Sequence, residues 1–240
     1  MTEELFREDA TLTECSARVV AVDERGVQLD RTVFYPQGGG QAGDAGVLVL
    51  ADGRELAVAD TRKGEAPGRI MHLLADGAAR DALPVGVAVT ARIDRARRAA
   101  HMRFHTATHL LCALVPHAVN GCSITERYAR LDFHMSEPLD KQRLSDGIAR
   151  LVAEAHAVGQ RWIDEAELDA HPELVRSMSV QPPRGSGRIR LVEIAGVDLQ
   201  PCGGTHVANT AEIGAVIVTK VEKKSAMTRR VILGFAEAGR

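Results

Sequence analysis

His105-Thr106-Ala107-Thr108-His109-Leu110-Leu111 decides how the rest of this chain is read. Two histidines four apart on a helix share one face, with Cβ atoms roughly 6 Å apart, close enough to hold one ion. Asp94 is an N-cap candidate ahead of Arg95-Ala96-Arg97-Arg98 and Pro116 stops the segment, so a helix over about 95–115 carries both. Cys202-Gly203-Gly204-Thr205-His206 repeats the four-residue spacing near the other end. Three imidazoles and a thiolate form the nitrogen and sulfur set that zinc prefers over harder cations.

Nine histidines and four cysteines in 240 residues give about 0.3 His-x3-His and about 0.15 Cys-x3-His pairs by chance, so the two together carry more weight than either. His101, one turn before His105, is a rival on the same face. A hydrogen-bonded, half-buried role is assigned to it and to His72 and His134. A protease of the His-Glu-x-x-His type is excluded, because Thr106 stands where glutamate is needed.

The formal charge of −2 provides no global basic field, so any nucleic-acid contact must come from a local patch. Cys15, Cys112, Cys122 and Cys202 have no disulfide-framework spacing, which suits a reducing compartment. With no run of 18 apolar residues and an acidic Met1-Thr2-Glu3-Glu4 start, the expectation is a soluble, cytoplasmic protein without membrane association or an obligate protein partner.

Ahead of the ligand helix the sequence is rich in short β runs. Asp23-Glu24-Arg25-Gly26 is a hairpin turn between 19–22 and 27–29, and strands follow at 46–50, 54–59, 69–74 and 87–93. That spacing predicts a small antiparallel barrel rather than βαβ units. Phe34-Tyr35-Pro36-Gln37-Gly38-Gly39-Gly40-Gln41 has too many glycines for a two-residue hairpin. It is either a bulged turn at a barrel corner or a place where backbone approaches a ligand closely. Asp94 marks a domain boundary, giving domains 1–93 and 94–240.

In the second domain a helix over about 140–158 carries Leu144, Ile148, Leu151, Val152 and Ala155 on one core stripe. His117 to Ser123 reads as a loop, 131–133 and 162–164 as strands, and 166–174 as a short helix. Gly185-Ser186-Gly187-Arg188 in a loop over 182–188 could touch phosphate, 189–194 is a strand, and 212–224 with 229–235 form a closing hairpin. Helices segregated from antiparallel strands make the class α+β: an N-terminal barrel followed by an α+β zinc-binding domain.

The two ligand motifs, together with Leu29 to Gln41, Ala129-Arg130-Leu131-Asp132-Phe133 and Lys220-Val221-Glu222-Lys223-Lys224, resemble the editing domain of alanyl-tRNA synthetases and its free-standing relatives, the AlaX proteins of medium length. The resemblance runs almost end to end. It implies a barrel of the translation-factor type, an editing domain with one zinc held by His105, His109, Cys202 and His206, and a glycine loop, Gly38 to Gly40, that borders the editing site. Thr32 and Gln41 become polar candidates for substrate contact. Relatives usually place glutamine or an Asn-Gln pair in the loop after the ligand helix, and Asn120 is the substitute here. Lys220, Lys223, Lys224, Arg229 and Arg230, with Arg188, become tRNA phosphate contacts, although Ser225-Ala226-Met227-Thr228 differs from the turn common in relatives. Arg95, Arg97, Arg98 and Arg103 form a second basic cluster whose ordinary role is a solvated face.

The implied activity is hydrolysis of the ester on alanine tRNA wrongly charged with serine, with glycine as a possible second amino acid. A site that hydrogen-bonds the serine hydroxyl rejects alanine by about 10⁴, because its polar groups are otherwise left unpaired. Four protein ligands fill a tetrahedral zinc, so either one is displaced, the shell expands, or the ion only orients the substrate. A non-catalytic tRNA-binding module with structural zinc, or a zinc-dependent hydrolase of small esters, are the alternatives.

Overall fold

The computed structural model describes residues 1–75, 83–178 and 187–236, and the described chain is mostly β with three α-helices. The chain divides into two compact units, Met1–Gly38 with Ala42–Ala99, and Gly39–Gln41 with the chain from Ala100 onward. Among the described residues no helix is long and apolar enough to cross a membrane.

The first unit contains β1 (Glu3–Glu4), β2 (Glu14–Asp23), β3 (Gly26–Leu29), β4 (Arg31–Thr32), β5 (Gly46–Val49), β6 (Glu55–Lys63), β7 (Ile70–Leu74) and β8 (Ala88–Ile93). Six of them close a barrel in the order β2-β3-β7-β6-β5-β8, and closure leaves no exposed strand edge. The β2–β3 turn falls where expected, with Asp23 Oδ1 accepting the Arg25 N–H at 2.8 Å. Along β8 the buried Val89, Ala91 and Ile93 alternate with Ala88, Thr90 and Arg92, the period of a strand with one core face. They join Val19, Val27, Leu29, Phe34, Leu48 and Val58 in the barrel core. β6 runs to Lys63, past the expected 59, because β7 continues to pair with it as far as Lys63 opposite Ile70.

Arg98 is not part of a solvated basic face. Its side chain is 3% exposed and ion-paired with Asp44, which is 1% exposed. The guanidinium also donates to the carbonyls of Ala10 at 2.8 Å and Val33 at 2.6 Å. Asp44 Oδ2 accepts the Tyr35 N–H at 2.7 Å and the Asp44 N–H returns to the Tyr35 carbonyl at 3.0 Å, closing the ends of the glycine-rich loop. Arg97 is likewise engaged, donating to the Gly43 carbonyl at 3.2 Å.

α1 (Arg95–Leu114) matches the expected helix, with Asp94 Oδ1 accepting the Arg97 N–H at 3.0 Å. The second unit continues with β9 (Val119–Ile124), β10 (Ala129–His134), α2 (Lys141–Ala153), β11 (Val158–Asp164), α3 (Glu165–Ala170), β12 (Arg188–Ile194), β13 (Asp198–Pro201), β14 (Val216–Ser225) and β15 (Thr228–Phe235). These strands form one sheet in the order β14-β15-β10-β9 and another in the order β11-β12-β13. α2 buries Leu144, Ile148 and Leu151, and Asp140 caps it by accepting the Arg143 N–H at 2.9 Å.

Several boundaries differ from the sequence expectation. Residues 119–124 are a strand rather than a loop: Gly121 and Ser123 disfavour β structure, but β10 takes up their backbone groups through a register shift at Asp132/Phe133. α2 stops at Ala153, where Ala155 adopts φ 54°, and 158–161 join β11 instead. The closing hairpin begins at Val216, Glu212 lying in a 3-10 turn. Arg103 donates to the Ile213 carbonyl at 2.8 Å and stacks 4.2 Å from the Phe235 ring centre, so it too has an internal role. Gly185 and Ser186 lie outside the described residues.

Candidate metal centre

α1 presents His105 and His109 one turn apart on one face while burying Ala107, Leu110 and Leu111 completely. Cys202 and His206 arrive from the segment that follows β13. One potential ligand atom from each of the four lies within 4.8 Å of all the others. Cys202 Sγ is 3.3 Å from Nε2 of His105 and 3.3 Å from Nε2 of His206. Bonds of about 2.0 Å to nitrogen and 2.3 Å to sulfur imply ligand separations of about 3.3–3.6 Å around a tetrahedral ion, so this group can hold a metal.

The far side of each imidazole is fixed. His105 Nδ1 is 2.8 Å from Gln41 Oε1, His109 Nδ1 is 2.9 Å from Asp198 Oδ2, and His206 Nδ1 is 3.1 Å from Thr106 Oγ1. Gln41 Oε1 also accepts the Thr205 N–H at 3.1 Å while its amide donates to the Thr205 hydroxyl at 2.9 Å, so the oxygen must accept from His105. The Thr106 hydroxyl donates to the Met102 carbonyl at 3.0 Å, which leaves it to accept from His206. Each ring thus carries its hydrogen on Nδ1 and turns Nε2 toward Cys202, the arrangement that outer hydrogen bonds impose on metal-binding histidines.

Two glycines are required by close approach. A Cβ on Gly204 would collide with the His105 ring and come within 2.9 Å of Gln41 Oε1. Gly40, at φ +86°, would place a Cβ 2.6 Å from Cys122 Sγ. The Gly40 carbonyl accepts the Ile124 N–H at 2.7 Å, which fastens the segment carrying Gln41 to β9. Arg190 clasps the ligand loop by donating to the carbonyls of Cys202 at 2.8 Å and Gly204 at 2.9 Å.

Burial works against a thiolate at Cys202, but His105 and His206 beside it, with hydrogen bonds from His105 and His109, hold its thiol well below the usual range. Burial drives His206 well below the usual imidazole range, with His105 adding to the effect. His109 goes the other way: burial opposes its proton, yet the hydrogen bond to Asp198 and the proximity of Cys202 push it up to about 9. Thiolate and neutral imidazole are the ligating forms, so entry of an ion would release the extra proton of His109.

The other expected site residues fall in different settings. Gly39 is exposed, at φ +58°, with open space where its Cβ would be, and Gln41 is fully buried. Gly38 accepts the Tyr35 hydroxyl at 2.9 Å. Asn120 is half-buried on β9, its amide 3.3 Å from the Thr228 hydroxyl. Thr32 is fully buried, its hydroxyl 2.8 Å from His72 Nε2 and accepting the Phe34 N–H at 3.0 Å. His72 and His101 are fully buried rather than half-buried, His101 lying 3.8 Å from Glu126, and His134 is exposed. Of the basic residues, Lys220, Lys223, Lys224 and Arg188 are exposed. Arg230 forms a two-point pair with Asp132 at 2.7 and 2.9 Å, and Arg229 is buried and donates to the Ser225 carbonyl at 3.0 Å.

Sequence reasoning missed Thr106, Asp198, Gln200, Arg190 and Gly204. The period-two spacing of Asp198, Gln200 and Cys202 was the available signal, since alternate residues of a strand share a face. Gln200 donates to Asp198 at 2.7 Å and so holds the carboxylate that holds His109.

Comparison with known proteins adds three findings. Residues 189–232 match the threonyl and alanyl tRNA synthetase second additional domain, and residues 6–97 match the class II (A) tRNA synthetases. The chain is 34% identical over 242 residues to the alanyl-tRNA editing protein AlaX-M of Saccharolobus solfataricus, covering 96% of this chain and 98% of that protein, and 35% identical over 243 residues to that of Methanosarcina acetivorans, with the same coverage. It is also 34% identical over 251 residues to the alanine–tRNA ligase of Pyrococcus furiosus, spanning 99% of this chain and 26% of the ligase.

Proposed function

The chain belongs to the AlaX-M alanyl-tRNA editing proteins, and on that footing we propose an aminoacyl-tRNA hydrolase that acts in trans on mischarged alanine tRNA. The amino acid removed is serine, and glycine is the second candidate to test. Water adds to the ester carbonyl, the bond to the terminal ribose oxygen breaks, and free amino acid and deacylated tRNA leave. The observation that carries this reading is the convergence of four potential ligand atoms within 4.8 Å, each imidazole anchored through its Nδ1.

The ion is zinc, one per chain, held by His105, His109, Cys202 and His206. Bound there, zinc supplies a Lewis acid for the ester carbonyl or a water whose pKa is lowered toward about 7. Gln41 positions His105 and Thr205 together, so its part is orientation of the centre. Gly39 leaves open space for the amino-acid side chain, with Gly38 and Gly40 flanking it in the chain. Asn120 is the bulged residue of β9, two positions before Cys122, which abuts Gly40, and its amide oxygen reads the serine hydroxyl. It does so in place of Thr32, whose own hydroxyl is committed to His72 and the Phe34 amide.

Lys220, Lys223, Lys224 and Arg188 are the exposed cations assigned to tRNA phosphate, while the internal bonds of Arg229 and Arg230 give those two a supporting role. A barrel domain of the translation-factor type over 1–93, an editing domain over 94–240 and a cytoplasmic location belong to the same proposal. Incubation with serylated and correctly alanylated alanine tRNA tests it: release of serine and retention of alanine are expected. Binding without turnover would instead identify a tRNA-binding module, and turnover of small esters with indifference to tRNA would identify a general esterase.

A further inference from the structure

One face of the β11-β12-β13 sheet leads from the metal centre to the surface. Residues directly opposite on antiparallel strands share a face. Trp162 stands opposite Arg190, and the Cys202 N–H donates to the Arg190 carbonyl at 3.1 Å, so Trp162, Arg190 and Cys202 form one row across the sheet. The next row, Gln160, Val192 and Gln200, ends beside Asp198 and the outer nitrogen of His109. Strands spaced by about 4.8 Å put the Trp162 backbone about 10 Å from that of Cys202. Arg190 ties the rows together, donating to Gln160 Oε1 at 2.6 Å and to the Cys202 carbonyl at 2.8 Å.

The opposite face buries Ile163, Ile189 and Leu191 in a small core, so Trp162 has no packing duty there. Trp162 is 43% exposed, and the Arg188 guanidinium lies 5.7 Å from its ring centre. An exposed indole with a cation over it, in register with a metal-ligand cysteine, has the chemistry of a platform for an unpaired nucleobase. A substrate whose reacting ester sits on its terminal ribose must lay its unpaired 3′ nucleotides beside the centre when the ester reaches Cys202.

We propose that Trp162 stacks an unpaired base at the 3′ end of the tRNA, with Arg188 bracing the indole and neutralising the adjoining phosphate. The proposal rests on the tRNA-editing function above and adds to it a positioning surface. Stacking accepts any base, so this surface orients the end of the chain without reading its sequence.

Trp162 is the only tryptophan of the chain, which makes intrinsic fluorescence a direct probe. Uncharged alanine tRNA with an intact 3′ end is expected to quench it saturably, and the same tRNA trimmed of its unpaired 3′ nucleotides is expected to bind without quenching. Trp162→Ala should raise KM for seryl-tRNA about ten-fold, with kcat, metal content and melting temperature close to wild type, and Trp162→Phe should restore most of the loss. Saturable tRNA binding with unchanged fluorescence, or an unchanged KM in Trp162→Ala, overturns the stacking role alone. A wild-type protein that neither binds nor deacylates seryl-tRNA overturns the editing function and this inference with it.

Discussion

Arg98 with Asp44 in the barrel unit, and His105, His109, Cys202 and His206 in the second, are both buried polar clusters, but they differ in where their hydrogens point. The Arg98 nitrogens find oxygen partners in Asp44, Ala10 and Val33, and Asp44 takes the Tyr35 N–H besides. That cluster is complete as folded. In the other, the Nδ1 hydrogens all point outward to Gln41, Asp198 and Thr106, while the Cys202 sulfur, its thiol held well below the usual range, faces Nε2 of His105 and of His206. Such a group is completed by a cation. Burial alone therefore does not separate a structural polar cluster from a functional one, whereas the direction of the donor hydrogens does.

The largest expected effect falls on the incomplete cluster. Loss of an outer partner of a metal ligand costs about 10–100-fold, so loss of a ligand exceeds that. Cys202→Ala should leave no stoichiometric metal by elemental analysis and lower deacylation more than about a hundred-fold. A metal-replete, active variant would remove the distinction between the clusters.

Next comes the complete one. Arg98→Ala strands the Asp44 carboxylate in the barrel and should cost about 3–5 kcal/mol in denaturant unfolding. Because the pair is self-contained, replacing both members by apolar residues, Arg98→Met with Asp44→Leu, should recover a large part of that loss. A double variant no more stable than the single would show that the pair is not closed on itself.

A third buried group, His72, sharpens the contrast as an imidazole satisfied inside the barrel by Thr32 and the Val27 carbonyl. Burial lowers it to about 4, the Val27 hydrogen bond only partly opposing this. A folded value below the unfolded one, about 6.5, means that the unfolded chain takes up the proton first. The contribution is full above about 6.5 and is lost as pH falls toward 4, on the order of 3 kcal/mol in all. Melting temperature should fall across that window in the wild type and less steeply in His72→Gln. Identical slopes would assign the acid sensitivity elsewhere.

The smallest effect is expected at Gln41, which reaches the centre at second hand, through the far nitrogen of His105 and through Thr205 beside His206. Gln41→Ala should weaken metal affinity about 10–100-fold, or about 1.4–2.7 kcal/mol, while leaving a folded protein. An unchanged affinity in a chelator competition would show that His105 needs no help to face the ion.

Local signals carried the barrel, α1 and the His/Cys group that could hold a metal: a turn at Asp23 to Gly26, a cap at Asp94, a stop at Pro116 and two matched spacings. Asp44 stands 54 residues before Arg98, and Asp132 stands 98 before Arg230, so a count of charges along the chain saw basic clusters where the fold makes internal pairs. β9 was hidden because Gly121 and Ser123 read as loop until β10 supplies the partner backbone. The outer contacts Thr106 and Asp198 were hidden for a related reason. A polar side chain that holds a ligand has no hydrophobic period of its own, and its position is meaningful only once the ligand is placed.

The bond from the Ile124 N–H to the Gly40 carbonyl has a consequence in time. It joins a regular strand to a segment of three glycines, and Gln41, the next residue, is the one that steadies His105. Proteins open locally at free energies well below that of global unfolding, and few bonds hold this segment to β9. Exchange of the Ile124 amide hydrogen with solvent deuterium thus reports opening of the glycine segment, and weaker protection there than at the other paired amides of β9 would mark the stretch beside Gln41 as the first to loosen.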